Sequence, residues 1–213
     1  MAILKISEAM TAPKMPEMTS AEWAEHDARV TRELAELEQR EAERASNSHR
    51  AGLIANGFPR RGIEAASDPR GTRAVLMLRE WSTAEGQTIA VLSGNPGCGK
   101  TVAACVYALA RASAGHFACA GEFAASSHYG DDRKRWLAAG VLVVDDIGAE
   151  RGECDWDLLV NKFYGDKRIL IMTTNLDAAA FRKRYGERIV DRLRECGQWL
   201  AVQGESLRGK KET

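Results

Sequence analysis

The chain has 213 residues, of which 45% are apolar and 28% are charged, and its 30 basic and 30 acidic side chains leave no formal net charge. This length allows one main hydrophobic core and a small appendage. A protein with no net charge does not attract nucleic acid through its overall electrostatic field. Nucleic-acid binding would therefore need a local basic patch. The sequence has neither a basic-then-apolar leader nor an apolar run near the roughly 20 residues of a membrane span, so we expect a cytoplasmic protein without membrane contact.

The N-terminal quarter of the chain changes character at Ser20. Residues 1–19 lack periodicity and are typical of a flexible leader. A highly charged helix is predicted next, with a narrow apolar stripe at helical spacing. The stripe consists of Trp23, Val30, Leu34 and Leu37. A stripe this thin favours docking onto a partner protein, although a helix that packs on its own domain would show a similar pattern. We therefore predict a partner-binding segment over 1–50 and a second domain over 51–213.

The rest of the chain alternates between strand and helix patterns. The helical pattern breaks around 47–51, a loop-rich passage follows over 57–71, and a helix is predicted over 72–81. Apolar strands, separated by helices, are then predicted at 88–93, 116–120, 141–145, 169–173 and 198–202. This alternation predicts a three-layer α/β fold, in which helices cover both faces of a parallel sheet.

The chain is organised around the segment GNPGCGKT at 94–101, which Ser93 alone separates from the apolar run 89–92. Glycines at these positions let backbone N–H groups converge on phosphate oxygens at the start of the following helix. Lys100, at an exposed loop edge, would reach the β and γ phosphates, and the hydroxyl of Thr101 would bind Mg²⁺. The predicted nucleotide-binding residues are Gly94, Asn95, Pro96, Gly97, Cys98, Gly99, Lys100 and Thr101. The strand before this segment and the helix after it favour a P-loop over a glycine-rich turn.

Polar side chains end two of the other apolar strands. The run VLVVDD at 141–146 would bring Asp145 to the magnesium ion, as a Walker B strand does. Asp146 would then orient or deprotonate the water that attacks the γ phosphate, although two acids at a strand end could also simply begin a turn. Asn175 follows the strand 169–173 at the edge where sheets of this type bind ligands, so we expect it to contact the γ phosphate or the water. The predicted cofactors are ATP and Mg²⁺.

Two basic stretches have an ordinary explanation as solvated charged surfaces. Arg188 and Arg192 lie four residues apart on one helical face, near acidic neighbours. A second stretch, Arg133, Lys134 and Arg135, could bind single-stranded DNA with a strong salt dependence.

Taken together, the segments GNPGCGKT, VLVVDDIGAE, TTNL, YGERIVDRL and SLR resemble, in this order, the DnaC-type helicase loaders of the AAA+ ATPases and the related IstB-type transposition ATPases. The resemblance covers residues 55–209. It implies that Asn175 is the sensor 1 residue, Arg192 an arginine finger offered to a neighbouring subunit, and Arg208 the sensor 2 arginine. Self-association through Arg192 is therefore expected.

The resemblance leaves three functions open. The first is an ATP-dependent loader that places a replicative ring helicase on single-stranded DNA, with the N-terminal segment as the helicase contact. The second is an IstB-type transposase helper on duplex DNA, and the third is an ATP-binding switch with little hydrolysis. Two departures from AAA+ proteins at large imply slow turnover: Asp146 stands where glutamate is usual, and little of the chain follows Arg208 to form a helical lid.

Overall fold

The structure is a computed structural model that describes residues 19–67, 71–82, 86–111, 115–127, 129–152, 154–204 and 206–207. The predicted leader, apart from residue 19, and Arg208 lie outside these residues. The chain divides into two units, Met1–Ser46 and Asn47–Thr213. Within the described residues, no helix is both long enough and apolar enough to cross a membrane.

Helix α1 (Ser20–Ala55) contains the apolar stripe of the N-terminal segment. A reciprocal cap begins it, because the Glu22 carboxylate accepts from the Thr19 N–H at 2.7 Å while the Thr19 hydroxyl accepts from the Glu22 N–H at 3.3 Å. The start predicted at Ser20 is confirmed. Leu34 and Leu37 are 55% and 52% exposed, so this apolar pair is uncovered in the chain as described.

The break predicted at 47–51 is wrong, because α1 continues to Ala55. Asn47, Ser48 and Gly52 have weak helix propensity, but Leu53 is 1% exposed and packs into the core of the second unit. Full burial of a leucine side chain contributes about 1.5–3 kcal/mol, which offsets helix penalties of up to about 0.7 kcal/mol for an ordinary residue and about 1 kcal/mol for glycine.

The passage predicted as loop-rich contains helix α2 (Arg60–Ser67). Pro59 stands just before its first residue, and Ile63 is buried on the inner face. Gly62 lies so close to α4 (Lys100–Leu109) that an added Cβ would be 2.8 Å from the Cys105 Sγ. The next helix, α3 (Arg73–Trp81), confirms the prediction at 72–81, with the Thr72 hydroxyl capping its first turn.

Five parallel strands form one sheet in the order β2-β3-β4-β1-β5. The strands are β1 (Ile89–Gly94), β2 (Gly115–Cys119), β3 (Val141–Ile147), β4 (Ile169–Thr174) and β5 (Gly197–Val202). The remaining helices are α5 (Ala120–Ala125), α6 (Asp131–Ala138), α7 (Trp156–Gly165), α8 (Ala178–Tyr185) and α9 (Glu187–Cys196). The predicted parallel sheet is therefore confirmed.

Helices cover both faces of this sheet. Along β1, Ala90 and Leu92 face a core shared with α2, α3 and α4, while Ile89 and Val91 face a second core shared with α5 and with α7 to α9. This three-layer arrangement confirms the predicted α/β fold class.

The carboxyl ends of three strands meet at one edge of the sheet. Strand β4 lies between β1 and β3 and pairs Ser93 of β1 with Thr174. On its other side the register shifts, because Val144 pairs with Met172 but Ile147 pairs with Thr174. One extra residue in β3 therefore forms a β-bulge beside the P-loop.

Candidate functional site

The P-loop connects β1 to α4, and its backbone requires glycine. Gly97 and Gly99 have φ of +86° and +91°, and Gly99 is the residue that precedes α4. An added Cβ at Gly94 would lie 2.3 Å from the carbonyl oxygen of Val202 on β5. Side chains at these positions would strain the backbone or collide with it, which explains the glycine spacing seen in the sequence.

Lys100 lies inside the P-loop and is only 6% exposed, so the exposed position expected from the sequence is wrong. Its ammonium donates to the carbonyl oxygens of Gly94 at 2.7 Å and Asn95 at 3.0 Å, and to the Asn175 Oδ1 at 2.9 Å. The loop curls around its own lysine, and carbonyl groups balance the buried charge. The contact with Asn175 joins the P-loop to the end of β4.

Asp145 on β3 receives hydroxyl hydrogen bonds from two elements. The Thr101 hydroxyl lies 2.9 Å from its Oδ1 and 3.1 Å from its Oδ2, and the Thr173 hydroxyl donates to its Oδ1 at 2.6 Å. Burial raises the pKa of Asp145 above its ordinary value, and the hydrogen bonds from Thr173 and Thr101 oppose that rise. The two residues predicted to bind metal, Thr101 and Asp145, are therefore in direct contact.

Asp146 follows at the bulge with φ of +58°, and its side chain is exposed. Left-handed backbone is uncommon for a residue with a side chain, although aspartate tolerates it better than most. The Asp146 N–H donates to the Thr173 hydroxyl at 3.0 Å. Thr173 thus contacts both acids of the site, and sequence reasoning missed it because it reads as one more residue of an apolar strand.

The residues at the end of the described chain also reach the P-loop. The Leu207 N–H donates to the Gly97 carbonyl oxygen at 2.9 Å. Arg208 is the next residue, but it lies outside the described part of the chain, so its role as sensor 2 stays a prediction.

Arg192 does not join this cluster, since its contacts in the described part of the chain are on α7 and α9. Its Nε donates to the Asn161 Oδ1 at 3.2 Å and its Nη1 pairs with Glu195 at 2.9 Å. Its guanidinium also lies over the Tyr164 ring, 4.8 Å from the centroid. Its assignment as an arginine finger for a neighbouring subunit stays a prediction.

The DNA-binding patch predicted at 133–135 is wrong for Arg133, which is only 2% exposed. Its guanidinium lies 3.9 Å from the centroid of the Phe123 ring and donates to the Phe123 carbonyl oxygen at 2.6 Å. Lys134 and Arg135 are exposed but pair with Asp131 and Asp132. A side chain that holds α5 against α6 is not available to a phosphate, and acidic neighbours offset the other two charges.

The oxygen set of the site fits Mg²⁺. No group of three or more His, Cys, Asp or Glu side chains able to hold a metal occurs among the described residues. Mg²⁺ that accompanies a nucleotide needs fewer protein ligands, because phosphate oxygens and water complete its shell. The Thr101 hydroxyl and the Asp145 carboxylate, already 2.9 Å apart, supply the hard oxygen ligands that this ion prefers.

Comparisons with known proteins rest on structure, since no family model and no curated protein matches the chain. A candidate primosome component from Streptococcus pyogenes serotype M3 superposes with a TM-score of 0.52 at 20% identity, covering 68% of this chain and 81% of that one. AMPPCP-bound DnaA from Aquifex aeolicus gives 0.48 at 19% identity, over 61% of this chain and 45% of DnaA. DnaA bound to AMPPCP and single-stranded DNA gives the same values.

This chain therefore spans less than half the length of the DnaA structures. The first comparison shows a shared fold. The chain has the α/β fold of that candidate primosome component.

Proposed function

We propose that the protein is an ATPase that helps to load a replicative ring helicase onto single-stranded DNA. One observation supports the enzymatic part above all others. Three loop or strand ends bring a lysine, an amide, a hydroxyl and a carboxylate together at the carboxyl edge of the sheet, through the contacts Lys100 to Asn175 and Thr101 to Asp145. This set can hold phosphates and a divalent ion and can polarise a water molecule.

In this proposal Lys100 exchanges its carbonyl partners for phosphate oxygens when ATP binds. Gly97 and Gly99 let the loop open toward the phosphates while α4 presents its N-terminus to them. Thr101 and Asp145 would hold Mg²⁺, which neutralises charge on the β and γ phosphates. Asn175 is released from Lys100 by the same exchange and becomes available to the γ phosphate or to water.

Asp146 is the proposed water-activating acid. It is adjacent to Asp145 and exposed at the bulge, so its carboxylate can accept a proton from water without losing a hydrogen bond to any residue that the structure describes. Aspartate is one methylene shorter than the glutamate usual in AAA+ proteins, which favours slow hydrolysis.

The helicase contact is proposed for the uncovered face of α1. Leu34 and Leu37 are more than half exposed, on an otherwise charged helix. Apolar anchors at this spacing suit a groove on a partner protein.

Single-stranded DNA is proposed as the second partner, bound by exposed cations such as Lys183 and Arg188, which have no acidic partner among the described residues.

The helicase proposal is tested with the full-length double variant Leu34→Asp/Leu37→Asp in a binding titration against the replicative helicase of the same organism. Charges on an anchor face should weaken binding by about tenfold or more. The matched control Ala35→Asp/Gln39→Asp adds the same charge on the opposite side of α1, at exposed positions, and should bind normally. Equal loss in both variants, or in neither, would remove α1 from the interface.

A second candidate function is an ATP-binding switch with little hydrolysis. The contacts of Lys100 with Asn175 and with the loop carbonyls favour it, because nucleotide binding must rearrange them whether or not hydrolysis follows. Multiple-turnover kinetics separate the two functions. A switch would change helicase or DNA affinity with ATP while releasing phosphate no faster than a variant that lacks the Asp146 carboxylate.

A further inference from the structure

Thr173 is fully buried near the end of β4 and uses one hydroxyl for two contacts. Its O–H donates to the Asp145 Oδ1 at 2.6 Å, and its oxygen accepts from the Asp146 N–H at 3.0 Å. The same atom therefore touches the side chain of the proposed metal ligand and the backbone of the proposed water-activating acid.

The bulge in β3 explains why this hydroxyl matters. Between the pairs Val144 to Met172 and Ile147 to Thr174, β3 has two residues and β4 has only Thr173. A regular ladder cannot bond every amide at such a mismatch, and the hydroxyl of Thr173 takes the N–H of Asp146. The bulge also carries the left-handed backbone of Asp146, with φ of +58°, which persists only where surrounding contacts define it.

We propose that Thr173 is a positioning residue for the two acids, in that its hydroxyl sets the metal-binding carboxylate of Asp145 and the backbone of Asp146 relative to each other. This inference rests on the proposed ATPase function. Loss of the hydroxyl would free Asp145 to rotate toward Thr101 alone and would leave the Asp146 N–H without its acceptor. Both acids would then deviate from the geometry that metal binding and water activation require.

The test compares Thr173→Val with Thr173→Ser in the full-length protein. Valine keeps the branched shape of threonine without its hydroxyl, whereas serine keeps the hydroxyl. Thr173→Val should raise the Mg²⁺ concentration that gives half-maximal ATPase activity by about 10- to 100-fold, and it should lower kcat by a similar factor. Losses of this size are typical when a residue that orients a metal ligand is removed. The affinity for ATP without Mg²⁺ should change little, because the P-loop is untouched, and Thr173→Ser should restore most of the loss.

Thr174→Val is the matched control. Thr174 is the next residue on β4 and equally buried, but its hydroxyl donates to the Ile147 carbonyl oxygen and accepts from the Leu176 N–H. A purely structural effect of a lost buried hydroxyl should appear in both variants as a lower midpoint of urea unfolding. Only Thr173→Val should shift the Mg²⁺ requirement.

A second readout keeps this inference separate from the ATPase proposal. Binding of a non-hydrolysable fluorescent ATP analogue is titrated with Mg²⁺, and the gain in affinity that Mg²⁺ confers should be smaller in Thr173→Val than in wild type and Thr173→Ser. If the wild-type protein hydrolyses no ATP, the ATPase proposal fails while this comparison still decides the role of Thr173. An unchanged Mg²⁺ dependence in Thr173→Val, or an equal shift in Thr174→Val, would overturn the inference.

Discussion

At the scale of single residues, Lys100 has a structural role in addition to its predicted chemical one. Its buried ammonium satisfies two carbonyl groups of the loop and the amide oxygen of Asn175. The spacing of the P-loop pattern made it possible to predict that Lys100 is the lysine that contacts phosphate. Its burial was not predictable, because burial depends on how the loop curls around the side chain.

Lys100→Ala should weaken ATP binding by about 10- to 100-fold, since hydrogen bonds to charged groups contribute about 1.5–3 kcal/mol each. Titration with a fluorescent ATP analogue measures the affinity, and thermal unfolding measures the expected loss of stability from three unpaired acceptors. Lys134→Ala, at an exposed lysine on α6, serves as the control and should bind normally. Unchanged affinity in Lys100→Ala would contradict the assignment of the P-loop.

Thr173 illustrates what motif spacing leaves out. Asp145 and Asn175 were predictable as residues of the sheet edge, because in the sequence one ends and the other follows a predicted apolar strand. Thr173 lies within such a strand, and only the bulge in β3 turns its hydroxyl into a contact for both acids. A one-residue mismatch between strands depends on tertiary packing and leaves no periodic signal in the sequence.

At the scale of elements, buried Glu150 links the loop after β3 to α8. Its carboxylate accepts from the Tyr185 hydroxyl at 2.6 Å, the Gly148 N–H at 2.7 Å and the Arg184 guanidinium at 3.1 Å. Burial alone would raise the pKa of Glu150, but these hydrogen bonds outweigh it and hold the pKa below its ordinary value of 4.5. The contacts fix the peptide that follows the proposed catalytic acids.

The stability supplied by the Glu150 carboxylate should depend on pH. A depressed folded-state pKa gives stability that is present above the unfolded value of 4.5 and is lost as pH falls through the folded value. Glu150→Gln should cost about 1–3 kcal/mol of unfolding free energy at neutral pH, and the difference from wild type should shrink as the pH is lowered below the unfolded value of 4.5. Urea unfolding at neutral pH and at a pH below this value measures the difference, with Asp157→Asn on α7 as a control. An equal difference at both pH values would mean that the charge of Glu150 contributes nothing.

Helix α1 shows a second limit of sequence reasoning. Its start was predictable from Ser20 and the cap formed by Thr19 and Glu22, because capping is a local effect. Its end was not, because Leu53 is buried by residues distant in sequence and carries the helix through a stretch of poor helix formers. Strand order, with β4 between β1 and β3, was likewise outside the reach of periodicity.

At the scale of the whole molecule, Arg192 contacts Asn161, Tyr164 and Glu195 on α7 and α9 of its own chain. The proposal is that this arginine serves the nucleotide of a neighbouring subunit. Arg192→Ala should keep ATP binding but lose turnover by about a thousandfold, because an arginine finger stabilises charge only in the transition state. Arg194→Ala is the control, since Arg194 lies on the same helix and pairs with Glu187 and Asp191.

Mixing variants distinguishes action on a neighbour from local packing. Lys100→Ala protein cannot use its own site but still offers Arg192, so a mixture with Arg192→Ala protein should recover part of the ATPase activity at mixed interfaces. If Arg192→Ala alone turns over ATP normally, and mixing the two variants at any ratio gives no gain in ATPase activity, then Arg192 is only a local surface contact of α9.

We propose that the edge formed by β1, β3 and β4 hydrolyses ATP. Phosphate release over many turnovers, compared between wild type and Asp146→Asn across a range of protein concentrations, tests this proposal. In wild type we expect Mg²⁺-dependent turnover that rises with protein concentration. Asp146→Asn should bind ATP normally but release phosphate about 10²- to 10⁴-fold more slowly, the usual contribution of a positioned general base. Equal turnover in the two proteins, or none in wild type at any concentration, would show that this edge is not an ATPase site.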